Sequence, residues 1–285
     1  MSKLALGTVQ FGINYGINNS MGVPDDKEVT SILDYAYKND INTLDTAIAY
    51  GNSEERLGKL SENNFQIISK FSGIYNFRDL ENELLKSLSN LRRDKIYGFI
   101  FHKAIDLIKN PKMWSYLEKL KSLKKIKKIG FSIYNEKELN EILNLGFIPD
   151  LIQLPYSILD RRFEKSLIKL KQLGVEIHVR SVFLQGLYFK DLNNLPETLL
   201  PLRPYLRKLH EICNSFNISI SSLALNFVKQ NKNIDKIVIG SDSAAQLKQN
   251  NSVMSYNLES NIIKLVQEIN VKEIELLSPT NWNYK

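Results

Sequence analysis

A single cysteine, Cys213, is all the sulfhydryl chemistry the chain possesses, which excludes an internal disulfide. Histidine is almost as scarce, at three residues in 285. With so few His and Cys, no cluster has the ligand spacing of a metal site. No apolar run is long enough to cross a bilayer, and Met1 to Gln10 lacks the charged, apolar, small-residue order of a secretory leader. No stretch of flexible composition divides the chain. Together these absences predict a cytoplasmic, membrane-free protein forming one domain over residues 1–285.

What is present is a balanced globular composition, 43% hydrophobic, with a net charge of +7. The positive balance raises nucleic acid as a partner. The densest basic run, Lys121 to Lys128, answers it. Leu117, Leu120 and Leu123 recur there at helical spacing, so the lysines occupy the wet face, and no aromatic residues interleave to stack bases. A solvated helix face is predicted, and no nucleic-acid partner.

Short β-branched runs alternate with helical patterns along the whole chain. The strands are predicted at Leu4–Thr8, Ile41–Thr46, Phe65–Lys70, Ile96–His102, Ile126–Ser132, Leu151–Tyr156, Val175–Ser181 and Lys236–Ser241. Helices are predicted at 26–38, 53–60, 78–90, 111–124, 136–144, 162–172, 203–215, 219–230 and 243–252. Ser53 and Asn135 read as N-caps, Gly146 and Gly174 as helix stops. Eight strands, apolar on both faces and each followed by a helix, predict a parallel (β/α)8 TIM barrel, a fold of about 250 residues. The stretch Leu192 to Pro204 is too irregular for a helix and reads as a lid.

In such a barrel, function belongs at the C-terminal strand ends. Asp45 ends strand two and is followed on the next loop by Tyr50. That stretch alone fits a proton-handling pair as well as it fits a turn-capping acid and a packed phenol. Lys70, at the end of strand three, supplies a cation that would pair with Asp45 and stabilise a Tyr50 phenolate. His102, at the end of strand four, can hydrogen-bond a substrate oxygen. Together they suit reduction of a carbonyl, with Tyr50 protonating oxygen and His102 orienting it.

The sequence Asp45-Thr46-Ala47-Ile48-Ala49-Tyr50-Gly51-Asn52-Ser53-Glu54-Glu55-Arg56-Leu57-Gly58 resembles the signature of the aldo-keto reductases, and the four candidates above match that family's catalytic tetrad. The resemblance implies a nicotinamide cofactor. It places Gly7 and Thr8 in the first-strand turn beside the ring, Ser132 and Gln153 on the carboxamide, and Arg180 and Ser181 in the stacking region. Leu184 and Gly186 fall on the loop covering the pyrophosphate, and Gly240, Ser241, Ser243, Gln246 and Asn250 at the adenosine end. Phe11, Tyr15 and Tyr156 are expected at the substrate, a small aldehyde or ketone with a sugar derivative among the candidates.

Three departures stand out: Ile133 where the family usually has Asn, Arg180 where it usually has a stacking aromatic residue, and Asp242 where NADP-specific members often carry a base. NADP(H) is expected from family habit, with NAD(H) open because of Asp242. The N-terminal hairpin that commonly closes the barrel floor is missing. Two other functions compete with a reductase: a cofactor-binding regulatory barrel with little turnover, and a lyase or aldolase using Lys70 as a Schiff base. The sequence gives no oligomeric state.

Overall fold

The computed structural model describes residues 2–61 and 64–282. Eight strands close a parallel barrel in sequence order: β1 (Leu4–Gly7), β2 (Thr43–Asp45), β3 (Gln66–Phe71), β4 (Ile96–Phe101), β5 (Ile126–Ser132), β6 (Leu151–Pro155), β7 (Glu176–Arg180) and β8 (Lys236–Gly240). Closure comes from β1 pairing with β8, Leu4 opposite Ile237 through Gly7 opposite Gly240.

The helices that pack on this wall begin with α1 (Val9–Gly12), α2 (Asp26–Lys38), α3 (Ser53–Leu60), α4 (Phe77–Leu91), α5 (Ala104–Lys109) and α6 (Met113–Ser122). They continue with α7 (Glu136–Asn144), α8 (Glu164–Gln172), α9 (Arg203–Ser215), α10 (Ile220–Gln230), α11 (Ala244–Ser252) and α12 (Ser260–Gln267). The apolar stripes are regular: in α4, Leu80, Leu84, Leu88 and Leu91 are all buried. Asn76, Asn135, Ser219 and Ser243 cap helix starts through side-chain bonds, and Gly146 and Gly174 end helices at φ +84° and +77°.

Ser53 corrects one expectation. It is the first residue of α3 and makes no cap; its hydroxyl turns inward and bonds the Thr8 carbonyl and hydroxyl, both at 2.9 Å. The stretch 192–204 corrects another. It folds as two 3-10 turns running into α9, with Leu199 and Leu202 fully buried, so it is packed wall and not a lid.

The main core lies between barrel and helices; Ile68, Ile100 and Leu151 form a second, small apolar layer. Among the described residues no strand precedes Leu4, and polar groups occupy the barrel's lower end. Glu176 accepts from Tyr97 (2.6 Å), Lys128 (2.5 Å) and His178 (2.6 Å). These bonds join β4, β5 and β7, which are not all neighbours in the sheet, so the cluster spans the floor. The fold thus leaves the upper mouth for chemistry.

Candidate active site

Strand alternation sends Lys70 inward and its neighbour Ser69 outward. Lys70 is 1% exposed, and its Nζ donates to Asp45 Oδ2 (2.8 Å), to the Thr46 carbonyl (2.8 Å) and, at 3.5 Å, to the Tyr50 hydroxyl. Asp45 Oδ1 accepts from Gln153 Nε2 across the barrel at 2.7 Å. The His102 ring meets the Tyr50 ring edge-on, centroids 5.7 Å apart. The four candidate catalytic residues therefore form one connected group.

Burial works against the Lys70 charge, but Asp45 and Tyr50 more than offset it, and the ammonium is held above its usual range. Such a lysine stays protonated and salt-bridged, which removes it as a Schiff-base nucleophile. Tyr50 departs from the sequence expectation. Burial raises its phenol, Lys70 pulls the other way, and the net direction is up, because burial together with the Asp45 charge outweighs the ammonium. The phenol is a proton donor at neutral pH. Burial and the Lys70 charge push His102 down to about 3, so its imidazole is neutral.

Two glycines hold the Tyr50 loop. A Cβ on Gly12 would stand 1.8 Å from the Tyr50 carbonyl oxygen, and one on Gly51, at φ +57°, would stand 2.4 Å from the Gly12 carbonyl oxygen. On the outer side, buried Glu54 accepts from Ser69 and Ser87, each at 2.6 Å, and ties α3 to the strand that carries Lys70.

A cavity of about 540 Å³ opens above this group and runs to the start of α11. Gly7, Thr8, Ser132, Gln153, Ser181 and Gly186 line it as expected, and so do Arg180, Gly240, Gln246, Asn250 and Tyr15. Residues not named as site candidates also line it, among them Gln10, whose buried Oε1 has no partner, Tyr134 and Gln185. The loop carrying Tyr15 is strapped across the mouth. Ile17 N donates to the Gln185 carbonyl (3.1 Å), Asn18 Nδ2 to the Gly186 carbonyl (2.7 Å) and Gln185 Nε2 to the Tyr15 hydroxyl (2.8 Å). Sequence offered no signal for this pairing, which is wholly long-range.

Five expected residues stand elsewhere. Tyr156 points away from the barrel interior, stacks on Phe227 and bonds Glu164, because it lies three residues past inward-facing Gln153 and so on the opposite face. Phe11 and Leu184 are fully buried in the core. Ser241 bonds the Ser243 carbonyl and Gln246, and Ser243 caps α11. The helix start expected to receive phosphate is already engaged: Ala244 N donates to Glu28 Oε1 at 2.6 Å and Gln246 N to Ser243 Oγ at 3.2 Å. Cys213, by contrast, is buried as expected.

The cavity's size is within the range of small-molecule sites. Its unpartnered Gln10 oxygen, the Ser132 hydroxyl and the polar residues towards α11 suit an elongated polar ligand with a planar end, such as a dinucleotide. Among the described residues, no group of His, Cys, Asp and Glu could hold a metal ion. Among the described residues, no helix is long and apolar enough to cross a membrane.

The aldo/keto reductase family profile matches residues 3–271. The NADH-specific methylglyoxal reductase of Escherichia coli K12 is 25% identical, over 94% of each chain. An aldo-keto reductase of Bacillus halodurans, solved in its holo form, superposes with a TM-score of 0.76 at 21% identity, covering 96% of this chain and 95% of that one. The glycerol dehydrogenase of Gluconobacter oxydans superposes at 0.75 with 19% identity, covering 94% and 91%. At such identities the two solved structures speak for the fold alone.

Proposed function

The chain belongs to the aldo/keto reductase family, and from that premise we propose that it reduces a small polar aldehyde or ketone to an alcohol, with Tyr50 as the acid. The observation that carries this reading is the Asp45–Lys70–Tyr50 chain beside a neutral His102, at the bottom of one cavity. When bound, a reduced nicotinamide supplies the hydride for the carbonyl carbon. Tyr50 holds the proton that the carbonyl oxygen needs as it becomes an alkoxide. Lys70, kept charged by Asp45, favours the tyrosinate left behind. Neutral His102 donates one N–H to the same oxygen and sets the angle of approach. Ser132 and the Gln153 amide would hold the carboxamide end of the cofactor, while Gln246 and Asn250 would hold its adenosine end.

Family habit favours NADP(H), but the residues at α11 weigh towards NAD(H). Glu28 and Asp242 place two carboxylates beside the helix start where a 2′-phosphate would otherwise be welcome. The NADH-specific relative accords with that reading. Tyr15, Asn18 and Asn19 at the mouth favour a hydroxylated or otherwise polar substrate, methylglyoxal-like or sugar-like.

The test is to mix purified protein with NADH or NADPH and a panel of carbonyls, methylglyoxal and hydroxyaldehydes included, and to follow loss of nicotinamide absorbance. Turnover that disappears in Tyr50→Phe supports the reading. Binding of a dinucleotide without any turnover would favour the regulatory barrel instead.

A further inference from the structure

The wall of the reaction chamber carries one charge that has no ion-pair partner among the described residues. Arg180, at the end of β7, donates from Nη2 to the Ile133 carbonyl (3.1 Å) and from Nη1 to Ser181 Oγ (3.4 Å). The Tyr134 ring covers one face of its guanidinium, Cζ lying 4.3 Å from the ring centroid. No carboxylate lies within ion-pair distance of it among the described residues; buried Asp160, whose Oδ1 binds Arg162 at 2.7 Å, feels the Arg180 charge only at longer range. Around it, the chamber is neutral: Lys70 and Asp45 cancel, and His102 is uncharged. The remaining charged residue on the cavity wall, Asp242, stands at the α11 end. The guanidinium is therefore a fixed, planar positive plate, clamped between Tyr134 and the chamber.

We propose that Arg180 makes the site discriminate between the two redox forms of the nicotinamide, binding the neutral reduced ring and disfavouring the cationic oxidised one. This rests on the reading that the cavity holds a nicotinamide cofactor. A hydride donor has to lie in contact with a carbonyl carbon whose oxygen is at Tyr50 and His102, and Arg180 lines that same chamber. A reduced ring is uncharged and loses nothing there beyond ordinary stacking on a guanidinium plane. Loss of hydride, two electrons and one proton together, leaves the ring with a positive charge facing the guanidinium. Two like charges about 5 Å apart near a protein surface repel enough to move an equilibrium about a hundredfold, and partial exposure of Arg180 reduces that to about tenfold. An aromatic ring in its place would carry no such bias. The consequence is a site that retains the reduced cofactor and sheds the oxidised one.

The experiment is a fluorescence and calorimetric titration of the whole protein with NADH and NAD+, and with NADPH and NADP+, for the unaltered chain, Arg180→Gln and Arg180→Lys. The proposal expects the ratio of oxidised to reduced dissociation constants to fall about tenfold in Arg180→Gln and to be retained in Arg180→Lys, which keeps the charge. A ratio unchanged in Arg180→Gln overturns it. Equal weakening of both forms also overturns it, since that is what loss of a mere prop for Tyr134 would give. If neither form binds the unaltered chain, the cofactor reading itself falls, and the proposal with it.

Discussion

Asp45 serves two partners with its two oxygens, Lys70 on one and Gln153 on the other. Because both Asp45 and Lys70 are nearly inaccessible to solvent, removing one leaves the other charge stranded. Lys70→Met is expected to cost about 3–5 kcal/mol of stability, measured by urea unfolding, together with loss of turnover; an unchanged midpoint would contradict the pairing. His102 is already neutral at every working pH, its value being about 3. The pH–rate profile is therefore expected to show no inflection from His102 between about pH 5 and 8, and one that vanishes in His102→Gln would contradict the assignment. The candidate catalytic residues could be picked out of the chain because each ends a strand or follows one within a few residues. Tyr156 was misread for a reason of parity: the strand's alternation places it on the face opposite Gln153. The Tyr50 phenol was misjudged because sequence shows the Lys70–Asp45 pair but neither the burial of the phenol nor the Thr46 carbonyl that shares the ammonium.

Elements position these residues through contacts that sequence does not announce. Gly12 and Gly51 let the loop after β1 and the loop after β2 touch backbone to backbone, and Tyr50 is fixed between them. Gly12→Ala has to displace that loop, and a shift of roughly 1 Å at a catalytic group costs about a hundredfold in rate. The expected result is a folded protein by circular dichroism with kcat reduced to that extent; full activity would show the contact to be irrelevant. Helices with long amphipathic stripes, 26–38, 53–60, 136–144 and 203–215, matched their expected bounds. Ala104–Lys109 was missed because so few turns give too little periodicity to separate from loop, and Ser260–Gln267, as long as 53–60, was missed because it lies after the eighth strand–helix unit, where the barrel pattern asks for no further helix. The cap at Ser53 was misplaced because its hydroxyl has a better partner across the barrel mouth, at Thr8.

The whole molecule separates a charged floor from a reactive mouth. Burial disfavours the Glu176 charge, but bonds from His178, Lys128 and Tyr97 overcome this and hold its carboxyl at about 2. Both depressed groups act in one direction. Glu176 contributes stability that is present above its unfolded value near 4.5 and lost as pH falls towards 2. His102, kept neutral when folded, takes up a proton on unfolding below its ordinary 6.5, so it too favours unfolding as pH falls towards 3. Acid unfolding followed by fluorescence is expected to begin below about pH 6.5 and to become shallower below pH 4.5 in Glu176→Gln; identical acid curves for the two proteins would contradict the floor's role. The barrel itself was legible because eight apolar runs alternate with helices, whereas the strap across its mouth joins residues about 170 apart.

The proton from Tyr50 is the claim on which the enzyme reading depends, and a single-turnover measurement tests it directly. Protein in excess over NADH is mixed rapidly with methylglyoxal, and nicotinamide fluorescence is followed for the unaltered chain and for Tyr50→Phe. The account predicts equal NADH affinity and a rate of oxidation lower by roughly 10²- to 10⁴-fold in the variant; oxidation at the same rate in both would contradict it.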